Sequence, residues 1–575
     1  MGTKTSTNST SQTGPKDLPV ATAGKPIDNN DNDNDNDSDD DWTPPPREAF
    51  HTDPKLCHSI LRTVAASAPL RILSSTISMG SGLFLDNKTN TSPLPAGREI
   101  YRSVPLMMYI NPDLNPNICH YCHSSNTDAF GAPPSMTGTK TETETIKSCS
   151  GCGVARFCSK KCQRLAWTRF HKDECKILKE HPKMRGEYLL LHRLVFWQQR
   201  GFVTTEQGRV VEGLETHFTE YSKVEERAAE IYDVAEDVVK ATGGKVGMGL
   251  VWRLLPAMRT NCVGVRMAEK KDVVGAAFDL LTAVINHSCE PNAFVFFEGN
   301  ELKVRSLREI APGEEITISY VDKNIDVAAR RKLLQHEHFF ECRCIRCRNE
   351  HKEHVSLLKT SKNIAALHLA QRSLITLMKN AVWAANHPGM NAQFEDLATI
   401  EAQLRIHTSN VFTNSEWPGH IAPLPMSRMY LAALYLDQEK LVPALRLALQ
   451  GKLMSRCKSG PDWVNEMMDL MSVLIVAGNI PPDSPLYQAE GFPTMDDTHA
   501  VTYGYLHEVC KEAGTAFGGD SKYTKAICDM FAGLLAKKPD ARPGSKEFAV
   551  EFEEGQKRVL AWAGVLEEFG ITLGR

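Results

Sequence analysis

The chain lacks an excess of charge of either sign, a long apolar run and an apolar N-terminus. Its 66 Lys+Arg stand against 70 Asp+Glu, a net charge of -4, so no global basic field draws it to nucleic acid. No stretch of about 18 apolar residues occurs, so no spanning helix is expected. The opening MGTKTSTNSTSQTGPKD has no hydrophobic centre of the kind a secretory signal needs, and the expected location is the nucleus or the cytoplasm. At 42% hydrophobic and 24% charged, the composition excludes collagen, coiled coil and wholesale disorder. At ~150 residues per domain, a chain of 575 residues holds roughly three or four.

What the chain does have is cysteine, 16 residues of it. In a reducing compartment, clustered Cys bind metal more often than they form disulfides. Residues 1–50 contribute none, and their run from Asp28 to Asp41, DNNDNDNDNDSDDD, has almost nothing to bury against the entropy of ordering. We expect there a disordered acidic tail. Beyond it, residues 55–66 look helical, and Leu70 to Ser78 alternates like a strand running into Gly80-Ser81-Gly82. Residues 183–256 are helical in pattern. Phe294 to Phe297, Leu302 to Val304 and Ile316 to Ile318 read as strands, with Glu298-Gly299-Asn300 as a turn. Residues 324–337 form a charged helix, and 355–575 read as helices, some of them paired as in helical-repeat proteins.

Cys119-x2-Cys122, Cys149-x2-Cys152, Cys158-x3-Cys162 and His171-x3-Cys175 supply eight thiolate or imidazole ligands in four close pairs. A tetrahedral zinc takes four such ligands, and a pair two or three residues apart can reach one ion from a tight turn. Eight ligands imply two ions, and their binding would supply most of the folding energy of this segment. Cys342, Cys344 and Cys347 offer three more and need a fourth from elsewhere.

The run Cys149-Ser-Gly-Cys-Gly-Val-Ala-Arg-Phe-Cys-Ser-Lys-Lys-Cys-Gln, with Ala166-Trp167 and His171-Lys-Asp-Glu-Cys175 behind it, resembles a MYND zinc finger. That resemblance implies interleaved ligation. Cys119, Cys122, Cys158 and Cys162 would hold one ion, and Cys149, Cys152, His171 and Cys175 the other. It also implies proline-containing peptide partners; the basic Lys160, Lys161, Arg164, Arg169 and Lys172 make nucleic acid a rival partner that the net charge does not support. The finger is expected to fold locally around its zinc and to be separable from any chemistry in the flanking strands.

Asn286-His287-Ser288-Cys289-Glu290-Pro291-Asn292 and Gly313-Glu-Glu-Ile-Thr-Ile-Ser-Tyr320, followed by the second Cys element, resemble the SET domain of protein lysine methyltransferases. Gly80-Ser81-Gly82-Leu83-Phe84 resembles its opening cofactor turn, and Ala96-Gly97-Arg98-Glu99-Ile100 its first hairpin. Taken together the chain is similar to the SET-and-MYND (SMYD-type) methyltransferases. The implied fold is α+β and multidomain. A SET β-fold (70–118 and 257–322) is interrupted by the finger (119–175) and a helical insert (183–256). A post-SET zinc segment (323–350) and a tetratricopeptide-like helical domain (355–575) follow. The resemblance further implies a third zinc on Cys289, Cys342, Cys344 and Cys347. S-adenosylmethionine would be lined by Met79, Gly80, Ser81, Asn261, Asn286, His287 and Tyr320, with Phe340 on its adenine. Tyr320 would be catalytic.

Methyl transfer to a lysine is an in-line displacement by a neutral amine. The protein must align donor and acceptor, worth several kcal/mol, and a desolvated channel must favour the uncharged amine. Two positions depart from the resemblance. Val263 stands where related enzymes carry Phe, and His338 where they carry Tyr, so the lysine channel is expected to be wider, to tolerate higher methylation, to accept a different substrate or to be inactive. The expected activity is methylation of histone or non-histone protein lysines by a monomeric enzyme. The alternative is a non-catalytic scaffold that recruits partners through the finger and the helical domain.

Overall fold

The computed structural model describes residues 50–78, 80–89, 91–111, 117–124, 146–182, 186–201, 203–244, 246–269, 273–323, 325–360, 364–385, 423–453, 458–488, 492–536 and 542–565, with four positions between 402 and 411. The acidic tail, the insert between Ser124 and Ile146, and Met79 lie outside the described residues.

Short antiparallel strands form the centre. One sheet orders Ala65–Ala66, Glu99–Ser103, Glu301–Ser306 and Ala293–Glu298, and a second orders Met107–Ile110, Gly275–Phe278 and Val263–Val265. The Ala293–Glu298 and Glu301–Ser306 strands close through Gly299-Asn300 with Glu298 opposite Glu301, the turn the sequence predicts. The period of two in Phe294-Val295-Phe296-Phe297 sets alternate rings on opposite faces. Phe297 enters the core of the strands, while Phe294 and Phe296 meet Phe517 edge-on at 6.1 and 5.4 Å.

Two elements end earlier than their patterns suggest. The first helix is Pro54–Leu61, N-capped by Asp53, and the Thr63 hydroxyl donates to the Ile60 carbonyl just beyond it. The strand expected over 70–78 stops at Ser74, because the Ser75 hydroxyl accepts from the N–H groups of Ile77 and Ser78 and bends the chain. Gly80 then turns it at φ 109°, and Ser81–Leu85 returns along Leu70–Ser74.

The insert is helical as expected: Gly186–Gln199, Thr205–Gly213, Phe218–Ser222, Glu225–Ala241 and Met248–Asn261. The last of these carries Pro256 inside it and runs on to Asn261. The expectation of a separable finger is not met by the packing. Phe157, Ala166 and Leu178 share one apolar core with Met108, Tyr109 and Leu190. A buried ion pair crosses the same seam. Arg193 donates to the Glu174 carboxylate at 2.5 and 3.0 Å and to the carbonyl of Met108 at 2.5 Å, its guanidinium 3.9 Å over the Phe170 ring. Glu174 is 1% exposed, and burial raises its carboxyl above the usual range despite the guanidinium beside it.

The C-terminal region is largely helical. Leu424–Asp437 turns at residues 438–440 into Leu441–Leu453, and Gly460–Gly478, Met495–Phe517, Lys522–Leu535 and Lys546–Ala563 follow around a second core. No helix among the described residues is long and apolar enough to cross a membrane.

Candidate functional site

The two polar motifs and the glycine turn converge although they lie far apart in sequence. Residues 313–316 run beside the Ser81–Leu85 strand, Gly313 and Ile316 donating to the carbonyls of Leu85 and Leu83, and Leu85 to that of Glu314. Asn286–His287 pairs in parallel with Thr317–Ile318. At the junction sits Glu315, 6% exposed. Its carboxylate accepts from the Ser75 hydroxyl, the Thr76 N–H and hydroxyl, and the Asn286 amide, each at 2.8 Å. Asn286 also donates to the carbonyl of Ser81 at 3.0 Å. A Cβ on Gly82 would lie 2.4 Å from Glu315 Oε1 and 3.2 Å from Asn286 Nδ2, so only glycine lets the turn approach this closely. Gly80, Ser81, Asn286 and the strand leading to Tyr320 are thus held by one buried carboxylate.

Tyr320 is part of a group of four rings. Its centroid is 5.2 Å from His287 and 4.7 Å from His338, and Phe340 lies 5.8 Å from His287. The Tyr320 hydroxyl donates to the carbonyl of Ile285 at 2.6 Å. Burial, with the charge of Glu315, raises its pKa, so the phenol stays protonated at neutral pH. His287 Nδ1 accepts from the Tyr320 N–H at 2.9 Å and Nε2 faces Cys289 Sγ at 3.2 Å. The imidazole bridges the Tyr320 backbone and the Cys289 cluster. The Asn261 amide donates to the carbonyls of Glu215 and Ala257 at 2.6 and 2.7 Å, which ties the insert loop to the helix end.

Three sets of ligand atoms come together, each within 4.8 Å: Cys119, Cys122, Cys158 and Cys162; Cys149, Cys152, His171 and Cys175; Cys289, Cys342, Cys344 and Cys347. These are the sets the resemblances implied. Zn–S bonds of ~2.3 Å in a tetrahedron place sulfurs roughly 3.8 Å apart. Cys122–Cys158 at 3.6 Å, Cys149–Cys175 at 3.9 Å, Cys158–Cys162 at 3.5 Å and Cys289–Cys347 at 3.3 Å fit zinc. The hydrogen bond between Cys119 and Cys122 lowers Cys122 to about 4 and raises Cys119, and the one between Cys289 and Cys342 lowers Cys342 and raises Cys289, so in each pair one sulfur is favoured as thiolate at the other's expense.

Several residues that hold this arrangement were not singled out from sequence. Asn292, 1% exposed, joins the two motifs: its carbonyl oxygen accepts from Thr317 N–H and its amide donates to the Glu315 carbonyl, both at 2.8 Å. Arg346 donates to the carbonyls of Cys289 and Lys323, and with the fully buried Arg330 it pairs with Glu350. Two guanidiniums beside a four-thiolate site offset its negative charge. Their place in a charged helix and one residue before Cys347 was the available signal. A cleft of about 1540 Å³ lies between the Cys289 side of this site and the C-terminal helices and is not lined by Tyr320, Asn286 or the glycine turn.

This strand arrangement around paired asparagine and tyrosine motifs defines a SET-domain protein, and the SET domain family model matches residues 83–321. SET domain and MYND-type zinc finger protein 6 of Schizosaccharomyces pombe is 30% identical over 368 residues, covering 62% of this chain and 71% of that one. The chain belongs to the SET-and-MYND (SMYD-type) family. Histone-lysine N-methyltransferase SMYD3 of Homo sapiens is 28% identical over 295 residues, 50% of this chain, and the match spans 63% of that relative's length. Among solved structures, the crystal structure of the SET domain of LSMT bound to lysine and AdoHcy matches 89% of this chain and 91% of that one at 12% identity with a TM-score of 0.24, too loose to place residues.

Proposed function

We propose that the protein is an S-adenosylmethionine-dependent protein-lysine N-methyltransferase acting on histone or non-histone lysines. The observation that carries this reading is the Glu315 junction, which brings the Gly80–Gly82 turn, Asn286 and the Tyr320 strand to one place. Backbone of the turn and Asn286 would hold the cofactor, with Phe340 as an apolar wall for its adenine. Bound there, S-adenosylmethionine supplies a methyl group on a sulfonium sulfur. Tyr320, kept protonated, orients the acceptor amine, and the rings of His287, His338 and Phe340 exclude water that would keep that amine charged. Residues 119–175 act as a two-zinc MYND finger for proline-containing peptides, and the C-terminal helices as a tetratricopeptide-like domain, in the nucleus or cytoplasm. Mass spectrometry of a protein array after incubation with labelled cofactor tests the activity; methyl-lysine absent in every target while cofactor binds would overturn it.

A second reading, a scaffold that recruits partners, is favoured by Leu165 and Trp167 on the finger, 41% and 44% exposed. Cofactor calorimetry separates the two, since a pure scaffold has no need to bind S-adenosylmethionine.

A further inference from the structure

Phe339 ends the Val327–His338 helix in the left-handed region, at φ 57° and ψ 26°. Bulky side chains seldom settle there, because Cβ crowds the next carbonyl, and such a residue persists only where its surroundings over-determine it. Here they do. Its ring lies 5.1 Å from that of His217 and 4.8 Å from that of Tyr221, edge-on to the latter. The Arg227 guanidinium stands 4.9 Å over the same ring and donates to the carbonyl of His336. All three partners belong to the helical insert. The loop behind them is itself fixed. His217 is left-handed at φ 50°, and the Glu215 carboxylate accepts from the N–H groups of Thr216 and His217 at 2.9 Å. Asn261 and Thr260 donate to the carbonyls of Glu215 and Thr216.

The residues on either side face elsewhere. His338 lies against Tyr320, and Phe340 against His287. A left-handed residue between them lets 338 and 340 face one ring group while 339 faces the insert. We propose that Phe339 is a positioning residue: a knob clamped by His217, Tyr221 and Arg227 that sets His338 and Phe340 against Tyr320 and His287. The consequence for cofactor affinity rests on the methyltransferase reading; the clamp itself does not.

The test is Phe339→Gly in the full chain, with Phe339→Tyr as the conservative control. Glycine keeps the left-handed turn and removes the ring, and Tyr221→Leu, which leaves the 339 backbone unchanged, separates loss of the ring contact from glycine's added backbone freedom. Amide hydrogen exchange over 336–344 is expected to accelerate at least about tenfold as local protection is lost, with zinc content unchanged. Affinity for S-adenosylmethionine by calorimetry should weaken roughly 10- to 100-fold, the scale of a misplaced supporting group. The tyrosine variant should restore both. Unchanged exchange in the glycine variant overturns the clamp. If that variant fails to fold or loses zinc, Tyr221→Leu and Arg227→Met reach the clamp from the insert; faster exchange at 336–344 in either supports it, and wild-type exchange in both overturns it. Wild-type protein that binds no S-adenosylmethionine overturns the methyltransferase reading and the predicted affinity loss, while the exchange comparison still decides the clamp.

Discussion

The finger sites and the Cys289 site share a chemistry and differ in how the chain assembles them. In the finger, eight ligands fall between Cys119 and Cys175 in four close pairs, so two ions can organise the segment from nearby turns. In the second region, Cys289 comes from the Asn-His motif and its three partners from residues 342–347, after the Tyr320 strand and the Val327–His338 helix. Closing that site therefore fixes Tyr320 as well. His287 makes the link direct, with one ring nitrogen on the Tyr320 N–H and the other on Cys289. Metal sites built from local ligands fold their own segment, whereas a site built from distant ligands positions whatever lies between them.

The largest expected effect tests that contrast. Cys289→Ser should cost one zinc of three by elemental analysis, and cofactor binding and turnover should fall together, because Phe340 and His287 lose their anchor. Retention of all zinc with wild-type cofactor affinity would separate the site from the chemistry. Arg193→Met comes next and examines the other side of the contrast. It leaves the buried Glu174 carboxyl without its guanidinium partner, an event that costs about 3–5 kcal/mol. Chemical unfolding should show that loss for the strand core and the finger in one transition. A separate early transition of the finger alone would restore the idea of a separable unit.

Tyr320→Phe should be milder for the fold and severe for rate. Losing the bond to Ile285 costs about 1–2 kcal/mol. Methyl transfer should fall at least about 100-fold, near 2.7 kcal/mol, while cofactor affinity holds, since Asn286 and the Gly80 turn are untouched. Wild-type turnover in this variant would remove Tyr320 from the chemistry.

Much of this was legible because its determinants are local. Ligand spacing gave the eight finger ligands, the MYND resemblance their interleaved sets, and alternation the Ala293–Glu298 hairpin, while the Asn286 and Gly313 motifs meet at Glu315. What stayed hidden depends on partners far away in sequence. No pattern in the helix Gly186–Gln199 announces that Arg193 will meet Glu174, and the charge of the Val327–His338 helix does not by itself say which residue will lie beside Cys289. Nor does the run around Asn261 announce that its amide will bond the carbonyl of Glu215 in the insert. The left-handed Phe339 is equally invisible, since local sterics argue against it and only the insert's rings hold it.

The smallest effect concerns His338, which places a titratable ring beside Tyr320 but outside the metal sphere. Burial holds its imidazole at about 4; His287 and His217 push the same way, and Glu337 opposes them. An unfolded histidine titrates near 6.5, so between there and about 4 the unfolded chain binds a proton that the folded chain refuses. Stability from this group is complete above the unfolded value and is lost as pH falls through that window. His338→Tyr removes the titration while keeping an aromatic ring against Tyr320. Zinc release in acid affects both chains, so the difference between them isolates the ring. Urea midpoints at about pH 7.5 and about pH 5 should show the wild type losing ground to His338→Tyr at the lower value, modestly because the ring is only partly enclosed. A stability difference that stays constant between those two values would show that His338 is not held neutral by its surroundings, and the ring group around Tyr320 would then be wetter than its packing implies.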